Sequence, residues 1–222
     1  MHNEPPASVS YLAIGDSLTE GIGANSPRQH FVAQLFRYLK HTDHCHFRNW
    51  GISGMTSAEC LQLVQNSAFQ RLLPRLTHLT VTTGGCDFIE LYEKQKLSIS
   101  EILKSSRMVQ RNVRQILSLI RRQNPRLTVY LLGFYIPLPA YEMGIEQAKR
   151  FVQAMNRTYM NLCERFRVNM VNPYPIFLDR KEYFSDEVHP NQTGYDELAR
   201  LFIQSAEQAS LCNAGEKSKT IS

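Results

Sequence analysis

The chain has 222 residues, of which 43% are apolar and 20% are charged, and its formal net charge is +5. This length suits one α/β domain, and the balance of apolar and charged residues is that of an ordinary globular protein, which excludes a wholly disordered or fibrous chain. No apolar run approaches the roughly 18 residues that a membrane-spanning helix needs, and the residues before Ser8 lack the features of a secretory signal. We therefore expect a cytoplasmic protein.

Short apolar segments and longer helical patterns alternate along the chain. The predicted strands are Val9 to Gly15, His44 to Trp50, His78 to Thr83, Thr128 to Phe134 and Val168 to Asn172. The predicted helices are Gln29 to Lys40, Thr56 to Gln65, Ile99 to Gln123, Gly144 to Phe166 and Gln192 to Ala209. This alternation predicts a three-layer α/β/α fold with a mainly parallel five-stranded sheet, which binds ligands at the carboxyl ends of its strands.

No internal repeat or low-complexity linker divides the chain. We expect one domain over residues 9–212, with flexible tails at 1–8 and 213–222, because both ends are polar and poor in large apolar groups.

Much of the positive charge lies on the predicted helix at 99–123 and just after it. The arginines there are Arg107, Arg111, Arg114, Arg121, Arg122 and Arg126. Arginines between apolar residues of a helix usually form a solvated face, and attraction to an anionic lipid or polymer is the alternative. We expect no nucleic-acid partner.

The cysteines are odd in number and widely spaced, with no C-x-x-C pair. They are Cys45, Cys60, Cys86, Cys163 and Cys212. Reduced thiols are therefore favoured over a disulfide framework, and neither the cysteines nor the histidines have the spacing of metal ligands.

The first segment with chemical potential joins a strand to a polar turn. It reads Gly15-Asp16-Ser17-Leu18 and presents Ser17 at a strand end. Gly15 permits tight backbone geometry, and a helix that begins soon after Ser17 would direct free N–H groups at a developing oxyanion. A helix cap or a phosphate-binding turn would use the same residues.

The second segment lies near the carboxyl end and reads Ser185-Asp186-Glu187-Val188-His189-Pro190-Asn191. Pro190 keeps His189 out of helical geometry, and Asn191 can cap the last helix. Asp186 could then accept a hydrogen bond from one imidazole nitrogen while the other faces a nucleophile. A hydroxyl is a weak nucleophile until a positioned base removes its proton, so the two segments are more informative together than either is alone.

With Asn49-Trp50-Gly51-Ile52-Ser53-Gly54 between them, these segments resemble the SGNH/GDSL hydrolases over essentially the whole domain. The resemblance implies a flavodoxin-like sandwich and a triad of Ser17, Asp186 and His189, with no metal or organic cofactor. It also implies an oxyanion hole formed by the N–H groups of Ser17 and Gly51, with Asp16, Asn49 and Asp87 in supporting positions.

The third block departs from the family pattern. The family usually has G-x-N-D, whereas this chain has Gly84-Gly85-Cys86-Asp87, so Cys86 stands where an asparagine side chain would be the last oxyanion donor. A thiol is a weaker donor than an amide, and loss of one such donor typically costs about 10²- to 10³-fold in turnover. Three explanations are considered: natural divergence, an engineered substitution, or a homologue that binds esters with slow turnover. A nucleophilic role for Cys86 is disfavoured, because no second base is assigned to it.

The segment Gly133 to Tyr141 is rich in aromatic and apolar groups and contains two prolines. We expect it to line an acyl pocket, although packing over the sheet would explain the same residues. Phe88, Ile89, Leu91 and Tyr92 admit the same two interpretations.

The predicted function is hydrolysis of carboxylic esters through an acyl-serine. The resemblance extends to small bacterial GDSL esterases and lysophospholipase-like lipases, including spore germination lipases. It therefore implies short to medium acyl esters or lysophospholipids as substrates, at most peripheral membrane contact, a monomer or small homo-oligomer, and spore association as a further localisation. The alternatives are a carbohydrate O-deacetylase, a weakened ester-binding homologue and a phosphate- or nucleotide-binding module.

Overall fold

A computed structural model describes the backbone of residues 8–219 and the side chains of residues 8–211. The strands are β1 (Ser10–Gly15), β2 (His46–Gly51), β3 (His78–Thr82), β4 (Thr128–Leu132) and β5 (Asn169–Val171). They form one parallel sheet in the order β2-β1-β3-β4-β5. The predicted strands and the predicted fold class are therefore confirmed.

The helices of the described chain are α1 (Ser17–Glu20), α2 (Phe31–Leu39), α3 (Ser57–Gln65), α4 (Ser67–Leu72), α5 (Cys86–Glu93), α6 (Ile99–Gln123), α7 (Pro139–Phe166), α8 (Tyr174–Phe177) and α9 (Gln192–Lys219). Short 3₁₀ turns lie at Leu73–Arg75 and Lys181–Tyr183. None of these helices is long and apolar enough to cross a membrane.

The main differences from the prediction concern the helices. Helix α7 begins at Pro139 and contains a break at Gly144, where the helix was expected to start. Helices α4, α5 and α8 were not predicted, because each is too short to show clear periodicity. Helix α9 continues to Lys219, so the predicted tail at 213–222 is helical as far as that residue. The rest of that tail, and the predicted tail at 1–8 apart from Ser8, lie outside the described residues.

The sheet is buried on both faces by two apolar clusters. Leu12 and Ile14 of β1 belong to the cluster beneath α3, α6 and α7, whereas Tyr11 and Ala13 belong to the cluster beneath α2 and α9. Full burial of one such aliphatic side chain stabilises the fold by roughly 1.5–3 kcal/mol. Packing on both sides therefore fixes β1 firmly and, with it, whatever its carboxyl end carries.

The strand register places three connections side by side at the carboxyl end of the sheet. Gly15 is paired with Gly51 of β2 on one side and with Thr82 of β3 on the other. The chain segments that follow β1, β2 and β3 therefore begin side by side, as the sequence analysis expects for a ligand site of a parallel sheet.

Candidate active site

The turn after β1 holds Ser17 in a buried position. Gly15 has a φ of +142°, and a Cβ there would collide with the backbone and hydroxyl of Thr82. The Asp16 carboxylate caps α1 by accepting from the Leu18 N–H at 3.1 Å, and it also accepts from the Thr82 hydroxyl at 2.8 Å. Ser17 is the first residue of α1. Helix α1 is a single turn, so the hydroxyl position depends on this packing more than on a helix dipole.

Asp16 is a buried carboxyl group in this turn. Burial raises its pKa, while the hydrogen bonds from the Thr82 hydroxyl and the Leu18 N–H act in the opposite direction. Its recorded contacts hold β1, β3 and α1 together, which agrees with the supporting position predicted for it.

The loop before α9 completes a chain of hydrogen bonds with Ser17. His189 Nε2 lies 2.9 Å from Ser17 Oγ, although the two residues are 172 positions apart. His189 Nδ1 lies 2.8 Å from Asp186 Oδ2. The three predicted residues therefore meet in one line, with the imidazole between the hydroxyl and the carboxylate.

Asp186 is held by its own loop. Its other oxygen, Oδ1, accepts from the N–H groups of Val188 at 2.8 Å and His189 at 2.7 Å. Partial burial opposes ionisation of this carboxyl group, but the hydrogen bonds from His189 and Val188 outweigh that effect, so its pKa lies below the usual value. The group is therefore a carboxylate at neutral pH, as a partner for an imidazole N–H must be.

Two residues of the neighbouring Gly133–Tyr141 segment support this loop. The Tyr135 hydroxyl donates to the Val188 carbonyl at 2.6 Å, and the Leu138 N–H donates to the Glu187 carbonyl at 2.8 Å. Tyr135 is half-buried, and desolvation raises the pKa of its hydroxyl well above the usual value, so the hydroxyl stays protonated and can donate. The sequence analysis did not identify this support, since the contact joins residues 53 positions apart.

Asn191 behaves as predicted. Its side-chain oxygen accepts from the Gly194 N–H at 3.1 Å, so it caps the first turn of α9. Its amide nitrogen donates to the Glu182 carbonyl at 2.7 Å. The residues on either side of His189 are thus tied to the last helix.

Gly51 does not occupy the predicted role in this structure. Its N–H donates to Asn49 Oδ1 at 2.9 Å, and a Cβ at Gly51 would collide with the backbone of Thr19 and Glu20. The Asn49 amide in turn donates to the Thr19 carbonyl at 2.8 Å. Gly51 is therefore required for close approach of α1, and its N–H is already engaged.

The turn that follows β2 contains a second glycine. Gly54 has a φ of +79°, and a Cβ there would meet no atom within 4 Å. The Ser53 N–H donates to the Glu20 carboxylate at 2.7 Å, and the Ile52 N–H donates to the Gly15 carbonyl at 2.8 Å. These contacts hold the turn against α1. Within residues 8–211, no acceptor is paired with the Gly54 N–H.

Cys86 is the first residue of α5 and lines the same cavity as Ser17 and His189. Burial raises the pKa of its thiol to about 12, and the nearby carboxyl groups of Asp16 and Asp87 contribute to this rise. The thiol is therefore neutral at ordinary pH, which argues against a nucleophilic role because the thiolate is the reactive form.

Asp87 acts in a buried polar network behind Cys86. Its carboxylate accepts from the Ser57 N–H at 2.8 Å and from the Ser57 hydroxyl at 2.7 Å. The Asn112 amide donates to the same hydroxyl at 3.0 Å. Burial raises the pKa of Asp87, and the hydrogen bonds from Ser57 oppose that rise. The network joins α3, α5 and α6 and so holds the Cys86 backbone in place.

A cavity of about 690 Å³ opens at the strand ends and contains the catalytic candidates. Its walls are mainly apolar and come from α5, from the segment after β4 and from the first half of α7. Most of the predicted pocket segment lines it, namely Gly133 to Pro137 with Pro139 and Ala140. The cavity also includes Phe88, Ile89 and Tyr92. Its volume falls within the range of small-molecule sites.

A hydroxyl, an imidazole and a carboxylate joined by hydrogen bonds, next to an apolar cavity at the carboxyl end of a parallel sheet, are the arrangement of a serine hydrolase. Residues 13–197 match the model of the GDSL-like Lipase/Acylhydrolase family, and the chain belongs to this family. This membership replaces the alternative of a phosphate- or nucleotide-binding module.

Individual relatives agree with this assignment. The chain is 29% identical to the spore germination lipase LipC of Bacillus licheniformis over 203 residues, which cover 86% of this chain and 93% of LipC. The crystal structure of the lipase Lip_vut3 from a goat rumen metagenome has a TM-score of 0.77 and 26% identity, over 89% of this chain and 97% of that one. An acetylxylan esterase from Geobacillus stearothermophilus shares the fold, with a TM-score of 0.67, 18% identity and coverage of 89% and 93%.

Proposed function

We propose that the chain is a serine esterase or lipase in which Ser17 is the nucleophile, His189 the general base and Asp186 the group that orients the imidazole. The observation that carries this proposal is the hydrogen-bonded line from Ser17 Oγ through His189 to Asp186, with distances of 2.9 and 2.8 Å. The first distance places the base within reach of the proton it must remove, and the second is that of a hydrogen bond between the imidazole and the carboxylate.

The reaction has two stages. His189 Nε2 takes the Ser17 proton as Oγ attacks the ester carbonyl, and Asp186 stabilises the imidazolium that forms. The imidazolium then gives its proton to the leaving alkoxide, which leaves an acyl-serine. Water, deprotonated by the same nitrogen, attacks the acyl-serine, and the proton returns to Ser17 as the acid departs.

The tetrahedral oxygen needs backbone donors. The Ser17 N–H precedes the first hydrogen bond of α1, from the Glu20 N–H to the Asp16 carbonyl, so helix formation does not use it. We propose Gly54 as the second donor in place of Gly51, because the turn that carries Gly54 is held against α1. Cys86 would contribute only a weak thiol donor.

The cavity favours an acyl chain over a sugar as the group held next to Ser17. Apolar walls with few polar anchors suit a hydrocarbon chain, whereas a carbohydrate deacetylase would need a polar groove. The names of LipC and Lip_vut3, both lipases, support the same choice. We therefore propose medium acyl esters or lysophospholipids as substrates, reached with at most peripheral contact with a membrane.

The cysteines bear on the cellular location. Cys60, Cys86 and Cys163 are buried on three separate helices, and burial raises the pKa of each thiol to about 12. These cysteines and Cys45 are free, which is typical of a reducing compartment, and the similar LipC is named as a spore germination lipase, so we propose a cytoplasmic or spore location.

The direct test is Ser17→Ala with a graded set of nitrophenyl esters and a fluorophosphonate probe. We expect kcat to fall about 10⁶-fold, and we expect mass spectrometry to find the probe on Ser17 in the parent chain. Ser118→Ala on α6, outside the cavity, serves as the matched control and should behave as the parent. Full activity of the Ser17→Ala variant would contradict the proposal.

A further inference from the structure

The inner wall of the cavity is formed by aromatic rings. Phe88 of α5 and Phe151 of α7 have ring centroids 4.9 Å apart at 77°, and Phe134 lies 6.1 Å from Phe88 at 70°. All three rings line the cavity. They also pack against the apolar cluster beneath α3, α6 and α7. The cavity therefore ends at these rings, because close-packed core lies behind them.

Another part of the cavity wall is exposed to solvent. Among its lining residues, Met143 is 57% exposed, Tyr92 41% and Leu97 37%. Large apolar side chains therefore continue from the closed aromatic end to the mouth. Such a wall offers a hydrocarbon chain continuous apolar contact, and an acetyl group would leave most of it uncovered.

The closed end of the cavity limits the length of the acyl chain that can bind. This inference rests on the proposed function, in which the acyl carbonyl lies next to Ser17. The hydrocarbon chain of the acyl group must then extend along the cavity that Phe88 and Phe151 close. Burial of each methylene improves binding roughly fourfold until the chain meets the closed end. Beyond that length, a rigid aromatic wall rejects further methylenes instead of binding them.

We infer that Phe88 and Phe151 determine the acyl-chain length and that the enzyme prefers medium-length acyl groups such as octanoyl to acetyl. Substitution of either ring should shift the preferred length in a direction set by the size of the new side chain. Phe134 is less suitable for a test, since its ring also packs against the fully buried Tyr159, with ring centroids 4.8 Å apart.

The experiment measures kcat/KM for acetyl, butanoyl, octanoyl and dodecanoyl nitrophenyl esters with Phe151→Trp, Phe88→Ala and the parent. The larger indole should lower the octanoyl-to-acetyl ratio by roughly tenfold, the equivalent of one or two methylenes. Phe88→Ala should raise the dodecanoyl-to-octanoyl ratio by roughly fourfold or more. Opposite shifts from the two variants cannot arise from general loss of folding.

Phe166→Trp is the matched control, because Phe166 also lies on α7 and packs against the same apolar cluster but does not line the cavity. Its ester ratios should equal those of the parent. Parent-like ratios in both cavity variants, or an equal loss on all esters, would overturn the inference. That result would leave the proposed function standing if Ser17→Ala still abolished hydrolysis, so the two failures can be told apart.

Discussion

The proposed nucleophile and the proposed base are held by two regions of different character. Gly15, Asp16 and Ser17 are buried at the end of β1, where strands on both sides and α1 surround them. Asp186 and His189 lie on a loop that belongs to no strand of the sheet, and the Asp186 side chain is 49% exposed. The hydroxyl is thus positioned by backbone packing, whereas the imidazole is positioned by a few hydrogen bonds that single substitutions can remove.

Among the substitutions that test this comparison, loss of the loop carboxylate should have the largest effect on kcat. Asp186→Asn replaces the acceptor of the Nδ1–H with an amide that can favour the wrong imidazole tautomer, and we expect kcat to fall by about 10³- to 10⁴-fold. Asp196→Asn is the matched control, since Asp196 on α9 also accepts two side-chain hydrogen bonds, from Gln34 and Gln192. An Asp186→Asn enzyme as active as this control would show that the carboxylate has no role in orienting His189.

The same variant tests the pKa of Asp186. Because the folded-state pKa is lowered, the carboxylate stabilises the fold above its unfolded-state pKa, and this stabilisation is lost as pH falls through the folded-state value. The difference in melting temperature between the parent and Asp186→Asn should therefore shrink as the pH falls below about 4, the ordinary pKa of an aspartate. A difference that grows on acidification would mean that the pKa is raised instead.

In the region around Ser17, Cys86→Asn tests whether the side chain at position 86 donates to the oxyanion. An asparagine amide is a stronger donor than a thiol, and one oxyanion donor is worth about 10²- to 10³-fold in turnover. The site is tightly packed, so we expect a smaller rise in kcat, about tenfold or more, with little change in KM. Cys86→Ala is the comparison variant; a parent-like rate for Asn at this position would remove the donor explanation of the departure at Cys86.

The smallest effect concerns the support of the loop by Tyr135. Tyr135→Phe removes one hydrogen bond to the Val188 carbonyl, which is worth about 1 kcal/mol, so kcat should fall about fivefold while KM changes little. Tyr195→Phe is matched, since the Tyr195 hydroxyl is also buried and donates to the Ile22 carbonyl at 2.7 Å. Equal kcat values for the two variants, at equal melting temperatures, would make Tyr135 a structural residue only.

Sequence reasoning identified the strands, the long helices and the segments of the candidate site, because each of these depends on a local sequence pattern. The strands alternate with long amphipathic helices, and α6 has the predicted limits of Ile99 and Gln123 because its periodicity is long and its ends are clear. Ser17, Asp186 and His189 were found because each lies in a short segment with recognisable turn chemistry. Their pairing was predicted from the need of a hydroxyl for a positioned base and from the resemblance to the SGNH/GDSL hydrolases, and the three side chains are joined by hydrogen bonds.

What sequence reasoning missed depends on tertiary contacts. The sequence suggested that the Gly51 N–H donates to an oxyanion, because it does not reveal that this N–H already donates to the Asn49 side chain. The break at Gly144 of α7 lies inside a helix that continues on both sides, so periodicity placed a helix start there. The Tyr135 contact joins two loops that no local pattern relates. Each of these features depends on tertiary contacts, which are determined by packing between segments that are distant in the sequence.

The strand order has a consequence for biosynthesis. Ser17 follows the first strand to leave the ribosome, and His189 follows it by 172 residues. At translation rates of about 5–20 residues per second, the two emerge roughly 10 to 35 seconds apart. A nascent or truncated polypeptide that stops before residue 189 therefore carries Ser17 without its proposed base, and on this proposal hydrolysis begins only after the loop that carries His189 has been made.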